Sequence, residues 1–252
     1  MRSICELSMM PIRAEAKHSS EMVSMLLLGE SFEVLKSQSP WHYIKCDDDH
    51  YEGWIRIGKL INPEADFWKK YDSEIKIFAE EVQLCSNALI VQPGSRLPQF
   101  KEGSFFIGNE VFILNTKIEP VSDINITEKL KRIIHSFINT PYLWGGRSTL
   151  GIDCSGLTQV IFKICGIPIP RDAWQQAALG TQIFDLSDTK FGDLAFFSES
   201  NDKITHVGIL TGDGHIIHAS DYVRKDKIDK HGIFNTFTEQ YTLKPVLIKR
   251  YF

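Results

Sequence analysis

The chain has 252 residues, of which 43% are hydrophobic and 24% charged, as in an ordinary globular protein large enough for two or three small domains. Its formal net charge is −4 and it has no long basic run, so nucleic-acid binding has little support. No segment approaches the ~18 consecutive apolar residues of a membrane helix, which excludes a membrane-spanning class.

The cysteines and the first residues bear on the cellular compartment. Five widely spaced cysteines without a pattern favour reduced thiols over a disulfide framework. The first residues contain no apolar core of signal-peptide length before Arg13. We therefore expect a cytoplasmic protein, or a periplasmic one if a leader peptide has been removed.

Residues 1–62 contain short segments in which large apolar and polar residues alternate, as in half-buried β-strands. Gly29 and Pro40 mark turns between them. The segments are residues 31–35, 41–45 and 51–55. The three aspartates at 47–49 lack the alternating spacing and the closing glutamate of an EF-hand, so we interpret them as a solvated turn.

Residues 63–125 carry weaker signals. They begin with a segment typical of a linker, residues 63–66, and glycine and proline then interrupt the sequence at short intervals. Stretches with strand propensity are residues 82–84, 88–91, 103–107 and 110–114. We expect a second small β domain here, with a structural role, because no catalytic constellation is evident.

Residues 126–252 open with an amphipathic helix, for which Thr127 is the predicted N-cap and Pro141 the end. A glycine-punctuated loop then leads to Cys154, which begins a second, strongly apolar helix. At a helix start, unpaired backbone N–H groups and the helix dipole favour negative charge. We therefore expect a lowered pKa for the Cys154 thiol and a larger fraction of the nucleophilic thiolate.

Two later segments, residues 205–210 and 215–220, are predicted strands joined by a tight turn. This hairpin would bring His206 and His218 side by side. A nucleophile, a base and a polar residue that orients the base are what nucleophilic catalysis requires. A last apolar run, residues 245–248, is predicted to add an edge strand, and the whole region indicates α+β layering.

Four segments together resemble the NlpC/P60 family of papain-like cysteine peptidases, which cleave cell-wall peptides. They are residues 141–146 (PYLWGG), 153–157 (DCSGL), 206–209 (HVGI) and 218–220 (HAS). The resemblance covers about residues 126–252. More weakly, short motifs within residues 11–55 resemble bacterial SH3-like domains. The implied fold is an α+β, papain-like catalytic domain preceded by one or two small SH3-like barrels.

The family resemblance also implies roles for individual residues. Cys154 would be the nucleophile, His206 the general base and His218 the residue that holds His206 in its productive tautomer. The family tyrosine, Tyr142 in this chain, would lie near the oxyanion position. We expect no metal and no cofactor.

The layout is most similar to the γ-D-glutamyl-L-diamino acid endopeptidases of this family, which act on murein peptides with a free N-terminal L-Ala. The implied substrate is a murein tripeptide or a similar small peptide. Substrate-binding residues would come from the peptidase motifs and, through a tyrosine with an acidic companion (Glu21 or Glu15), from the first barrel. The candidates are Asp153, Ser155, Asp172, Trp144, Tyr51 and Glu21.

Other interpretations of these residues remain to be weighed. Cys154, His206 and His218 could bind zinc, but neither a fourth ligand nor closely paired cysteines is evident. The spacing of Gly146 and Gly151 is that of a phosphate loop, yet residues 152–153 replace the required Lys-Ser/Thr, so we reject that interpretation. Besides a hydrolase, the sequence leaves open an inactive peptide- or glycan-binding module and an acyltransferase on the same core.

Overall fold

The computed structural model describes residues 1–73, 75–77, 83–114, 125–198 and 203–252. The chain forms two compact units. The first comprises Met1–Ile124 together with Trp144–Thr149, and the second comprises Asn125–Leu143 together with Leu150–Phe252. The division into three domains, at residues 62 and 125, stays a prediction.

The first unit begins with six strands that form one antiparallel sheet. They are β1 (Arg2–Ile4), β2 (Met9–Arg13), β3 (Met22–Leu27), β4 (Ser31–Gln38), β5 (Trp41–Cys46) and β6 (Glu52–Arg56). Their order in the sheet is β1-β4-β5-β6-β2-β3. Burial alternates along β5, so that Ile44 and Cys46 face the core while Tyr43 and Lys45 are half-buried. The three strands expected from the alternating segments overlap β4, β5 and β6.

The turn between β5 and β6 differs from the solvated turn that the sequence predicts. Asp47 accepts hydrogen bonds from Arg2 Nε at 2.7 Å and from Ser31 Oγ at 2.6 Å. Asp48 accepts two from Arg96, at 2.5 and 3.1 Å. Arginines distant in sequence therefore fix this turn, which periodicity along the chain cannot indicate.

The remainder of the first unit consists of short elements. They are α1 (Ala65–Ser73), β7 (Ile75–Ile77), β8 (Gln83–Leu84), a 3-10 turn (Ser86–Ala88), β9 (Ile90–Val91), β10 (Arg96–Pro98), β11 (Ser104–Ile107) and β12 (Glu110–Ile113). Antiparallel pairs form between β7 and β10, β8 and β9, and β11 and β12. The linker predicted at residues 63–66 is wrong in its second half, because Ala65 and Asp66 are the first residues of α1. Phe67 and Tyr71 of this helix are buried beside Phe105 and Leu28. Val82, expected in a strand, lies outside the described residues.

Six residues from the later part of the chain belong to this first unit. Trp144–Thr149 includes β13 (Arg147–Ser148). Gly145 has φ +77°, and a Cβ there would lie 2.5 Å from the carbonyl oxygen of Met22. Thr149 donates its N–H and its hydroxyl to Gln92 Oε1, at 3.1 and 2.8 Å. These contacts build the glycine-rich loop into the first unit.

In the residues that the structure describes, the second unit has three α-helices and a large sheet. Its elements are α2 (Ile126–His135), β14 (Gly151–Ile152), α3 (Cys154–Ile164), α4 (Ala173–Ala177), β15 (Thr181–Ile183), a 3-10 turn (Leu186–Asp188), β16 (Leu194–Phe197), β17 (His206–Leu210), β18 (His215–Ala219), β19 (Val223–Asp229), β20 (Gly232–Asn235), β21 (Gln240–Tyr241) and β22 (Pro245–Arg250). The sheet order is β15-β22-β16-β17-β18-β19-β20-β21. Every residue of α3 is buried, and the helix packs on β17 and β18. This helix-on-sheet layering confirms the predicted α+β class.

Two local predictions about this unit are wrong. The run at residues 245–248 is not an edge strand, because β22 pairs with both β15 and β16. The strand at this edge of the sheet is β15, which is short and mostly exposed and so carries no apolar pattern. The N-cap of α2 is Asn125, whose Oδ1 accepts the Glu128 N–H at 3.0 Å, and the helix ends at His135, well before Pro141. Asn and Thr are both good N-caps, so residue type alone does not select between them.

None of the helices in the described ranges combines the length and the apolar character that a membrane crossing requires. The cytoplasmic location stays a prediction.

Candidate active site

Cys154 is the first residue of α3, and Asp153 is the N-cap. Asp153 has extended backbone angles (φ −96°, ψ 176°), and its Oδ1 accepts the Gly156 N–H at 2.7 Å. Backbone N–H groups of Val207 and Ser155 are directed at the sulfur of Cys154. The sulfur of the candidate nucleophile therefore lies against the start of β17, where Val207 directly follows His206.

The prediction of a lowered thiol pKa is wrong. Burial raises the pKa of Cys154 to about 12, and the negative charge of Asp153 adds to the increase. The Val207 and Ser155 N–H groups and the Arg171 charge oppose these effects but do not outweigh them. The protein thus holds a neutral thiol, which would have to lose its proton to act as a nucleophile.

His206 and His218 meet as the hairpin predicts. Ile209 pairs with Ile217, so Gly208 lies opposite His218. His206 is two residues before Gly208 and therefore lies on the same face of the strand. Nε2 of His206 lies 2.9 Å from Nδ1 of His218. Burial lowers the pKa of His206 to about 3, helped by the repulsion that a protonated His218 would exert and by the charge of Arg224. His206 is therefore neutral and able to accept a proton.

The hairpin accommodates this pair because residue 208 is glycine. A Cβ at Gly208 would lie 2.6 Å from Ile216 Cδ1 and 2.9 Å from His218 Cβ. Either side chain would have to move. The glycine thus allows His218 to lie close to the neighbouring strand.

A buried carboxylate that the sequence analysis missed continues this chain of contacts. Asp226, on β19, is 2% exposed, and its Oδ2 lies 3.1 Å from His218 Nε2. Arg224 Nε donates to the same oxygen at 2.8 Å. The alternation of the strand could have indicated this burial, because Arg224, Asp226 and Ile228 lie on one face of β19 and all three are buried.

Tyr142 lies beside the nucleophile segment. Residue 142 forms a parallel bridge with Ile152, and its backbone N–H donates to the Asp221 carbonyl at 2.9 Å. Burial raises the pKa of the Tyr142 phenol, and the negative charge of Asp153 and of a Cys154 thiolate would raise it further, so this hydroxyl keeps its proton. A protonated phenol at this place is a hydrogen-bond donor.

Asp153 and Ser155 are joined by a buried arginine. Arg171 donates Nη1 to Asp153 Oδ1 at 3.0 Å and Nη2 to Asp153 Oδ2 at 2.5 Å. The same Nη1 donates to Ser155 Oγ at 2.8 Å. Asp153 therefore caps the helix and balances the charge of Arg171. An ammonium group that bound to Asp153 would have to share its carboxylate with Arg171. The sequence analysis had not assigned a role to Arg171.

The remaining candidates are distributed over both units. Asp172 precedes α4 in the second unit, where its N–H donates to Gln175 Oε1 at 3.2 Å. In the first unit, Trp144 Nε1 donates to Glu21 Oε1 at 2.6 Å, so these two candidates are in contact. Tyr51, in the same unit, packs against the core of the six-stranded sheet.

The residues that the structure describes contain no group of three His, Cys, Asp or Glu side chains arranged to hold a metal ion. A buried thiol, a neutral imidazole and a second imidazole instead make up the parts needed for acyl transfer through a thioester.

Comparison with known proteins identifies the matching families. The profile of the NlpC/P60 family matches residues 139–245, and that of the bacterial dipeptidyl-peptidase SH3 domain matches residues 12–60. A "Gamma-D-glutamyl-L-lysine dipeptidyl-peptidase" of Bacillus subtilis is 31% identical, over 78% of this chain and 71% of that protein. A protein of the same name from Bacillus cereus is 42% identical, over 80% of this chain and 68% of that protein.

Among solved structures, an NlpC/P60 family protein from Bacillus cereus has a TM-score of 0.80 at 21% sequence identity. The match covers 100% of this chain and 99% of that chain. An NlpC/P60 endopeptidase from Photobacterium damselae subsp. piscicida has a TM-score of 0.68 at 19% identity, over 98% and 65% of the two chains. These likenesses concern the fold.

Proposed function

Since the chain belongs to the NlpC/P60 family of cysteine peptidases, we propose that it hydrolyses murein peptides with a free N-terminal L-Ala at the bond between γ-D-Glu and the L-diamino acid. Cys154 is the nucleophile, His206 the general base and His218 the residue that orients His206. The observation that carries this proposal is the 2.9 Å contact between His206, on β17, and His218, on β18. Val207, the residue after His206 on β17, directs its backbone N–H at the Cys154 sulfur.

The reaction begins from a neutral pair. The pKa of Cys154 is raised and that of His206 is lowered, so the thiol proton passes to His206 as the sulfur attacks the carbonyl carbon. His206 then returns this proton to the leaving amine, and a thioester remains on Cys154. Water attacks the thioester, with His206 again accepting a proton, and releases the acid and the free thiol.

The tetrahedral intermediate carries a negative oxygen that needs donors. We assign this role to the Cys154 backbone N–H, at the start of α3, and to the protonated hydroxyl of Tyr142. Removing one such donor costs about 3 kcal/mol of transition-state stabilisation. Tyr142→Phe tests the assignment, with kcat expected to fall by roughly 100-fold.

Substrate selection requires recognition of a free amine. A dipeptidyl-peptidase releases two residues from the N-terminus, so its site must bind an ammonium group, for which carboxylates are the natural partners. Asp172 and Glu21 are the acids we propose to test first, because Asp153 already balances Arg171. Ser155, Trp144 and Tyr51 are proposed as further substrate contacts.

The test compares L-Ala-γ-D-Glu-L-Lys, or its diaminopimelate counterpart, with the same tripeptide N-acetylated. A hydrogen bond to a charged group contributes about 1.5–3 kcal/mol, so acetylation should lower kcat/KM by on the order of 10- to 100-fold. Cys154→Ala is the inactive control. Equal turnover of both peptides would reject the requirement for a free amine.

Mass spectrometry of the products separates the alternative functions. A hydrolase releases L-Ala-γ-D-Glu and the free diamino acid, whereas an acyltransferase gives a dipeptide adduct with an added amine. A binding module leaves the tripeptide intact. Activity that survives in Cys154→Ala would reject the thiol mechanism.

A further inference from the structure

We infer that Asp226 is a positioning residue, which sets the tautomer of His218 and through it the tautomer of His206. The inference deepens the proposed function and rests on it, because the proposed function assigns His206 the role of base. It concerns a residue on a third strand, β19, beyond the hairpin that carries both histidines.

The contacts form one line across three strands. His206 Nε2 lies 2.9 Å from His218 Nδ1, and His218 Nε2 lies 3.1 Å from Asp226 Oδ2. His218 and Asp226 are 3% and 2% exposed, so water does not compete for these atoms. The pairing of His218 with Arg224 brings Asp226 to the same face of the sheet as His218.

The donor and acceptor roles follow from the end of this line. A carboxylate only accepts hydrogen bonds, so His218 Nε2 must carry a hydrogen toward Asp226. A neutral His218 then has a bare Nδ1, which accepts the Nε2–H of His206. The bare nitrogen of His206 is consequently Nδ1, which is left to take the thiol proton of Cys154. In the opposite tautomer, Nδ1 of His206 would carry a hydrogen and could not take that proton.

Arg224 keeps Asp226 in the accepting form. Burial alone would raise the pKa of Asp226, but hydrogen bonds from His218 and Arg224 and the Arg224 charge bring it below the ordinary value. Arg224 Nη1 also donates to Asp221 at 3.1 Å, and the carbonyl of Asp221 accepts the Tyr142 N–H at 2.9 Å. The same buried arginine is thus linked to the histidine pair and to the oxyanion donor.

The first experiment reads the tautomers directly by ¹H–¹⁵N correlation spectra of the histidine rings in the free enzyme at pH 7. His206→Gln and His218→Gln assign the signals. We expect both rings to be protonated at Nε2 and bare at Nδ1. A hydrogen on Nδ1 of either ring in the wild-type enzyme would overturn the inference, and this measurement requires neither turnover nor an Asp226 variant.

Two substitutions then separate positioning from packing. Asp226→Asn retains an oxygen that can accept from both His218 and Arg224, so the tautomers should persist and kcat should fall by less than about tenfold. Asp226→Leu has a similar shape but no acceptor, so His218 should lose its fixed tautomer and kcat should fall by roughly 100-fold or more, with KM little changed. Asp229→Asn, on the exposed face of the same strand, is the matched control and should leave both readouts unchanged.

The outcomes distinguish the two proposals. If the wild-type enzyme does not cleave the tripeptide but shows the expected tautomers, the substrate assignment fails and the inference about Asp226 stands. If the wild-type enzyme is active and a correctly folded Asp226→Leu retains its kcat or its histidine tautomers, the positioning role is rejected.

Discussion

Arg147 and Glu30 form a buried ion pair with two hydrogen bonds, within the first unit, although 117 residues separate them in the chain. Nη1 donates to Oε2 at 2.9 Å and Nη2 to Oε1 at 3.0 Å, and both side chains are 3% exposed. Nη1 also donates to the Met25 carbonyl at 2.6 Å, and Glu30 accepts the Leu27 N–H at 2.8 Å. The pair anchors the loop that connects Tyr142 to the nucleophile segment.

Arg147→Met should therefore destabilise the protein strongly. Removing one partner of a buried pair leaves an uncompensated charge and typically costs about 3–5 kcal/mol. Chemical denaturation should show this loss in the free energy of unfolding. Lys17→Met is the control, because the Lys17–Glu15 pair is exposed and contributes about 0–1 kcal/mol. Similar small effects of both changes would contradict the anchoring role.

Gly208→Ala should reduce both stability and activity. The added Cβ must displace Ile216 or His218, and a shift of His218 changes its contact with His206. Overpacking of this kind costs about 1–3 kcal/mol, while kcat should fall by at least about tenfold. Gly58→Ala serves as the control, since no atom lies within 4 Å of a Cβ built there. A Gly208→Ala enzyme with unchanged kcat would show that the histidine pair tolerates the displacement.

Arg171→Met should leave the Asp153 carboxylate unbalanced beside Cys154. We expect a loss of about 3–5 kcal/mol in the free energy of unfolding. Because the Arg171 charge lowers the thiol pKa, its removal should also raise the pKa of Cys154 further and slow its alkylation by iodoacetamide at pH 8. Lys131→Met, at an exposed pair with Glu128, is the matched control for stability. Unchanged stability and unchanged alkylation would refute the balancing role of Arg171.

The pH dependence of kcat/KM tests the environment of His206. A base works only when neutral, and the folded enzyme lowers the pKa of His206 from 6.5 to about 3. Protonation on acidification therefore begins well below pH 6.5, and kcat/KM at pH 5.5 should stay close to its value at pH 7. An unperturbed histidine would already be about 90% protonated at pH 5.5. An acid limb centred near pH 6.5 would contradict the lowered pKa.

Much of the candidate site can be predicted from local sequence, since it depends on contacts over a few residues. The helix starting at Cys154 follows from apolar spacing and an N-capping aspartate. The contact between His206 and His218 follows from a short turn, which leaves few possible registers, and from the two-residue period of a strand. These features, with the peptidase and SH3-like motifs, were sufficient to predict the α+β class and the family.

Tertiary structure decided the partners of the charged groups and the thiol pKa. Glu30 pairs with Arg147, Asp153 with Arg171, and Asp226 with His218. Alternation along a strand can indicate which of these residues is buried, but it does not identify the partner. The partner of each charged residue depends on which distant strands and loops the fold brings together. The position of β22 is also decided at this level, because β15 and β16 pair with it on its two sides. The helix start alone predicts a lowered pKa for Cys154, but the fold buries the sulfur next to Asp153, and desolvation together with a like charge outweighs the backbone N–H groups.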